Sequence, residues 1–160
     1  MVGTGKDVVL GSRANSGGSL ILYQVCEDGR KLKYLHTTPM DDAPLALEPF
    51  NGRLLVGVGK LLRIYDIGKK KMLRKCENKH IPNLVVDIKT MGSRVYVSDV
   101  QESIHYVRYR QAENQLVVFA DDTVSRYITA SCLLDYDTVV AADKFGNVAV
   151  VSALQVQCTV

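Results

Sequence analysis

The segment LLVGV at residues 54–58 is followed by two related segments, VYVSD at residues 95–99 and VVAAD at residues 139–143. Their first residues are 41 and 44 positions apart. A hydrophobic strand that returns every 40 residues or so is typical of β-propellers, in which each blade is a sheet of four antiparallel strands. The spacing therefore predicts an all-β fold of repeated four-stranded sheets.

The strand after each of these segments repeats as well, because Tyr23, Tyr65, Tyr106 and Val148 are separated by 42, 41 and 42 residues. Glycine-containing turns punctuate the strands, among them Asn51-Gly52, which favours a tight hairpin. We expect a partial, WD40-like β-propeller of about three and a half blades over residues 1–152. The approximate blades are residues 1–39, 40–80, 81–122 and 123–152, and the fourth strand of the last blade could only come from Leu154 to Val160.

Composition limits the kind of protein that this chain can be. Its 20 basic and 17 acidic residues give a net charge of +3, which is too small to indicate a surface that coats nucleic acid. The sequence shows neither a secretory signal nor an apolar run of the roughly 18 residues that cross a membrane. We expect a soluble intracellular protein without membrane contact, whose scattered cysteines are buried reduced thiols: Cys26, Cys76, Cys132 and Cys158.

Motifs for enzymatic chemistry are incomplete. Gly57-Val58-Gly59-Lys60 ends like a phosphate-binding loop, but Leu54 and Leu61 replace the glycine and the hydroxyl that such a loop requires. Cys76 and His80 supply two of the four ligands of a structural zinc site. No serine lies in a Gly-x-Ser-x-Gly turn, and the three histidines fall in separate units. We therefore expect no catalytic residue, metal, cofactor or small-molecule substrate.

The densest charge cluster has five basic residues within residues 69–75. Such a cluster serves in nuclear targeting or in contact with RNA phosphates. The alternative is a solvated hairpin turn, which the alternation of Met72 and Arg74 with Leu73 and Lys75 favours. A second basic stretch, Arg108-Tyr109-Arg110, could bind RNA through guanidinium contacts with phosphate and stacking of the ring on a base. Strand alternation disfavours such a combined site, because it directs the ring to one face and both guanidinium groups to the other.

Several strings in the sequence are more specific than the repeat, including GVGKLLRIYD at 57–66, LRKCENKH at 73–80, VSDVQES at 97–103 and ADKFGN at 142–147. They resemble the splicing factor 3b subunit 3 family, which is similar in turn to the large triple-propeller subunits of the damaged-DNA-binding and cleavage/polyadenylation complexes. The resemblance covers nearly all of residues 1–152, whereas residues 153–160 form a divergent C-terminal tail. It implies a piece of the C-terminal propeller of a long nuclear scaffold that performs no chemistry.

The resemblance also implies partners, namely other splicing factor 3b subunits, including a helical-repeat protein, in the branch-site-binding small nuclear ribonucleoprotein. The residues that we predict to contact them are Lys69, Lys70, Lys71, Arg74 and Lys75, with Gln101 and Glu102 on a neighbouring turn. Two alternatives stay open. One is a nucleic-acid-contacting propeller of the damaged-DNA-binding or polyadenylation type, and the other is a truncated, non-functional product with no stable fold of its own.

Overall fold

The computed structural model describes residues 1–9, 12 and 14–153, which contain two three-stranded and two four-stranded antiparallel sheets. The first sheet has the order β1-β2-β3, and its strands are β1 (Val2–Gly5), β2 (Gly18–Cys26) and β3 (Lys31–Met40). The second has the order β4-β5-β6-β7, with β4 (Pro44–Phe50), β5 (Arg53–Val58), β6 (Leu61–Asp66) and β7 (Leu73–Asn78).

The third sheet repeats the order of the second as β8-β9-β10-β11, with β8 (Val85–Met91), β9 (Arg94–Asp99), β10 (Ile104–Arg110) and β11 (Gln115–Asp121). The fourth has the order β12-β13-β14, with β12 (Ile128–Leu133), β13 (Thr138–Asp143) and β14 (Val148–Ser152). The predicted all-β fold of propeller-like blades is confirmed. The predicted fourth strand of the last sheet, at residues 154–160, lies outside the described residues.

The hydrophobic core lies between consecutive sheets, and the inner strand β9 contributes to it from both of its faces. On β9, Val95 and Val97 pack against the second sheet, while Tyr96 packs against the fourth. Tyr106 on β10 also packs against the fourth sheet, and its hydroxyl donates a hydrogen bond to the carbonyl oxygen of Val151 at 2.8 Å. The sheets therefore support one another as blades do, and β7 and β11 are left as outermost strands of their sheets.

The aspartates that end the repeated segments explain part of the sequence pattern. Oδ1 of Asp99 accepts hydrogen bonds from the backbone N–H groups of Gln101 at 2.8 Å and Glu102 at 3.0 Å. Asp143 closes its own turn in the same way, and hydrogen bonds from Asn147 lower the pKa of its carboxyl group. The segment at 54–58 has no aspartate and turns instead through Gly59, whose φ is +57°.

The structure contradicts the expectation that every cysteine is buried. Within the described part of the chain Cys76 is buried, Cys26 is half-buried, Cys132 is exposed, and all three are free thiols. The prediction of a buried thiol is wrong for Cys132 because its face of the fourth sheet is not covered by another described sheet. Val150, on the same face, is 62% exposed. Cys158 lies outside the described residues.

Candidate interaction surface at the outer strands

Positive charge is concentrated on one segment of the second sheet. Between Arg63 and Lys79 the sequence has seven basic and two acidic residues, although the excess in the whole chain is only three. We use the name basic rim for the exposed cations of this segment, which are Lys69, Lys70, Lys71, Arg74, Lys75 and Lys79. The basic rim follows the β6–β7 hairpin and the outermost strand β7.

The hairpin that carries the lysines is anchored on the first sheet. The backbone N–H of Met72 donates to Oγ1 of Thr38 at 2.8 Å, and Nε2 of His36 donates to the carbonyl oxygen of Gly68 at 3.0 Å. The Met72 side chain is only 3% exposed and belongs to the core between the first two sheets. These contacts fix both ends of the turn, so Lys69–Lys71 must point into solvent.

A β-bulge decides which side chains of β7 reach the surface. The pairing with β6 passes from Arg74 to Cys76 and skips Lys75. Residues 73–75 are consequently all exposed, whereas Met72 is buried. The predicted alternation of residues 72 and 74 with residues 73 and 75 is therefore wrong, because a bulge breaks the two-residue period of a strand.

One carboxylate is shared among three cations beneath the basic rim. Glu77 lies 2.6 Å from Nε of Arg63, 3.0 Å from Nη1 of Arg74 and 3.3 Å from Nζ of Lys79. Arg63 is 5% exposed and has a second partner in Asp41 at 3.0 Å. Burial acts to raise the pKa of Glu77, but the hydrogen bond and charge of Arg63, with Lys79 and Arg74, outweigh it and lower that pKa. Glu77 is thus ionised but cannot neutralise three cations.

The remaining cations of the basic rim, Lys69–Lys71 and Lys75, have less compensating negative charge near them than the cations that share Glu77. Within the described residues, Lys69–Lys71 form no ion pair, and Nζ of Lys75 lies 3.7 Å from Asp66. At 42% side-chain exposure for Lys75 and 36% for Asp66, such a pair is weak. The basic rim therefore presents an uncompensated positive surface.

Gln101 and Glu102 lie on the β9–β10 turn, held by Asp99. Oε2 of Glu102 accepts a hydrogen bond from the hydroxyl of Ser125 at 3.1 Å. Gln101 is exposed and Glu102 is half-buried. Both residues therefore lie on an ordered, accessible turn.

The structure does not bring this turn together with the lysine cluster. The carbonyl oxygen of Lys75 accepts a hydrogen bond from Nδ2 of Asn114, which follows the end of β10, whereas Gln101 and Glu102 precede its beginning. A strand of this length spans about 23 Å. The predicted contact residues form two separate surfaces at opposite ends of the blades.

A groove that the sequence did not predict runs between β7 and β11. Its volume is about 910 Å³, and residues 75–80 and 114–118 line it. Besides the bond from Asn114 to Lys75, Nδ2 of Asn78 donates to the carbonyl oxygen of Leu116 at 2.8 Å. Strand periodicity gives no signal for this groove, because it forms between strands of different sheets that only tertiary packing places side by side.

The second basic stretch is placed as predicted. Tyr109 is 8% exposed, whereas Arg108 and Arg110 are exposed on the other face of β10. The Tyr109 hydroxyl accepts from Arg53 at 3.0 Å and donates to Oδ1 of Asn114 at 2.9 Å. Since this ring is used in packing, the stretch does not provide a base-stacking surface flanked by arginines.

A search for metal ligands among the described residues finds no group of three or more His, Cys, Asp and Glu side chains that could hold an ion. Cys76 is buried, which raises the pKa of its thiol, and His80 is exposed. The described residues also include no helix that is both long and apolar enough to span a membrane.

Comparison with known proteins agrees with the resemblance that the sequence strings indicate. The chain belongs to the family described as CPSF A subunit region, whose model matches residues 1–156. Within that family it is similar to splicing factor 3B subunit 3 of Danio rerio, with 62% identity over 151 residues, which are 94% of the chain and 12% of the relative.

Two further relatives give the same result. Splicing factor 3B subunit 3 of Drosophila melanogaster is 57% identical over 93% of the chain and 12% of the relative. Spliceosome-associated protein 130 A of Arabidopsis thaliana is 52% identical over 92% of the chain and 12% of the relative. The resemblance predicted from the sequence is confirmed, and the chain spans about 12% of the length of these curated relatives.

Proposed function

We propose that this chain is a non-enzymatic protein-interaction module of a splicing factor 3b assembly, which acts in pre-mRNA splicing in the nucleus. The observation that carries the proposal is the similarity over 92–94% of the chain to proteins named as splicing factor 3B subunit 3 or spliceosome-associated protein. The partners in this proposal are other subunits of the assembly, including a helical-repeat protein.

The basic rim is the surface that we assign to these contacts. A rigid sheet holds its cations, the hairpin is tied down at both ends, and most of its charge is uncompensated. Lys69, Lys70, Lys71, Arg74 and Lys75 form this contact, while Gln101 and Glu102 would serve a second contact at the other end of the blades. Charges on a surface of this kind steer association and select partners more than they add affinity.

The test is affinity capture of the tagged chain from nuclear extract at moderate salt, with mass spectrometry of the bound proteins. We expect splicing factor 3b subunits in the eluate, and fewer of them when Lys69, Lys70 and Lys71 are all replaced by glutamate. A matched control replaces Arg30, Lys31 and Lys33 with glutamate, because these three cations are also exposed but lie on or directly before β3 of the first sheet. Recovery of chaperones alone would contradict the proposal, and unchanged capture by the triple variant would remove the assignment to the lysines.

RNA contact is a second candidate function, favoured by three adjacent lysines that form no ion pair with any described residue. Single-stranded RNA binding by three cations would give a slope of log affinity against log salt of about −2. Titration of a labelled single-stranded oligonucleotide at several salt concentrations measures that slope. A flat salt dependence or no binding would eliminate this candidate.

A further inference from the structure

We propose that the groove between β7 and β11 binds an extended acidic segment of a protein partner, with carboxylates four residues apart that contact Lys75 and Lys79. The inference rests on the proposed interaction function and specifies the chemistry of the partner and where it binds. It extends the predicted contact surface to Lys79 and to β11.

The shape of the groove suits an extended chain. Its volume of about 910 Å³ is at the upper end of the range of well-formed binding pockets. It follows β7, which is the last strand of its sheet and therefore has one edge without a neighbouring strand of that sheet. Extended peptides bind along such edges through main-chain groups and alternating side chains. Because the carbonyl oxygen of Lys75 already accepts a hydrogen bond from Asn114, side-chain contacts are the ones that define the ligand here.

The spacing of the cations defines the ligand. Lys75, at the bulge, and Lys79, directly after β7, are four residues apart, which corresponds to at most about 13 Å. Carboxylates at positions i and i+4 of an extended peptide are the same distance apart and lie on the same side of it. Lys79 is 72% exposed and shares Glu77 with two arginines, so its ammonium group retains the capacity to bind a further carboxylate.

The opposite wall of the groove is less polar. Val118 is half-buried on β11 and packs against the core cluster of the second and third sheets, to which the buried Leu116 belongs. Val117 pairs with Arg108, so its side chain lies on the other face of the third sheet. A segment that alternates acidic and apolar residues would place carboxylates on the lysine wall and apolar side chains on Val118. Binding would bury part of the apolar surface that Val118 exposes.

The composition of the groove favours a peptide over RNA. The residues that line it, 75–80 and 114–118, include no Phe, Tyr or Trp. Proteins that bind single-stranded nucleic acid combine cations with aromatic side chains on which bases stack. The cations here lie opposite Leu116 and Val118 instead, which matches an acidic and apolar peptide.

The test uses the 160-residue chain and fluorescein-labelled octapeptides of threonine and valine that carry two glutamates. In the first peptide the glutamates are four residues apart, and in the second they are adjacent. Fluorescence anisotropy should show tighter binding of the first peptide, and an unlabelled single-stranded RNA should not displace it. Equal binding of the two peptides, or displacement by RNA at equimolar concentration, would overturn the proposal.

The variant Lys75→Glu/Lys79→Glu should weaken binding of the first peptide roughly tenfold, because two attractive pairs become repulsive. Lys31→Glu/Lys33→Glu is the matched control, because it also reverses two exposed lysines. Nζ of Lys31 is 3.5 Å from Glu27 at 67% exposure, as Nζ of Lys79 is 3.3 Å from Glu77 at 72%. An equal loss in this control would mean unspecific attraction and would overturn the proposal. Near-ultraviolet circular dichroism checks that each variant is folded.

The two proposals fail in different ways. Capture of splicing factor 3b subunits without peptide binding would overturn the groove as a binding site and leave the proposed function intact. Peptide binding that requires Lys75 and Lys79, without capture of those subunits, would support the groove and contradict the proposed function.

Discussion

Replacing Glu77 with glutamine removes the negative charge that three cations share. The largest effect is on Arg63, whose buried guanidinium group loses its nearest compensating charge. Its side chain is 5% exposed and lies 2.6 Å from Glu77. Its second partner, Asp41, is 81% exposed and therefore screened by water. The substitution leaves the volume and one acceptor oxygen of the side chain, so it tests charge rather than packing.

The expected loss follows from how deeply each partner is buried. Breaking a fully buried ion pair by removing one partner costs about 3–5 kcal/mol. Because Glu77 is 16% exposed and Asp41 still contacts Arg63, we expect the lower part of that range or slightly less, about 2 kcal/mol. With a urea m-value of about 2 kcal/mol/M, the midpoint of unfolding should fall by roughly 1 M.

Urea unfolding followed by circular dichroism measures this midpoint, and Glu113→Gln is the control. Glu113 pairs with Arg110 at 3.3 Å, with both side chains more than half exposed, so its loss should cost under about 0.5 kcal/mol. A midpoint for Glu77→Gln that falls no further than that of the control would refute the reasoning.

The same substitution should tighten binding of the acidic octapeptide, because it increases the net positive charge beside the groove.

Acid pH should reduce the difference between wild type and Glu77→Gln. The pKa of Glu77 is lowered in the folded state, so the ionised form stabilises the fold at pH values above the pKa of an unfolded glutamate. This contribution is lost as the pH falls from about 4.5 through the lower folded value. A difference that stays constant down to pH 2 would contradict the assigned charge interaction.

Three further substitutions test the packing of the blades. Burial lowers the pKa of His105, so stability should fall as the pH drops below about 6.5, and thermal midpoints of His105→Leu should depend less on pH between 7 and 5. Gly57→Ala would place its Cβ against the Val85 side chain of the next sheet and should cost about 1–3 kcal/mol in urea unfolding. Tyr106→Phe leaves the buried carbonyl oxygen of Val151 without its donor and should cost about 1–2 kcal/mol by the same assay.

Local sequence signals predict much of the architecture. The hairpin predicted at Asn51-Gly52 joins β4 and β5, because these two residues adopt φ values of 48° and 74°. The alternation around Tyr109 also correctly separates the ring from the two arginines. Turn residues and a two-residue period act over a few positions, so they are readable without tertiary structure.

The basic rim shows what local signals miss. The bulge at Lys75 exposes three consecutive residues where alternation predicts one buried position. The groove depends on Asn78 and Asn114, whose side chains connect strands from separate sheets. Neither feature is encoded in the period of one strand, because both depend on how β7 pairs with β6 and lies beside β11.

Lysines on an outermost strand also have a simpler role, which is to prevent edge-to-edge association with another chain. That role requires charge on the edge but not a particular sign. The strand β3 is also the last of its sheet and carries Lys31 and Lys33, whereas β11 is the last of its sheet and contains neither lysine nor arginine. Positive charge is therefore a feature of some of these edges and not of all of them. Reversal of Lys75 and Lys79 to glutamate keeps the edge charged and should preserve its protection, as light scattering would show. The same reversal should weaken recognition of an acidic segment roughly tenfold, so the two roles of the basic rim can be separated in one variant.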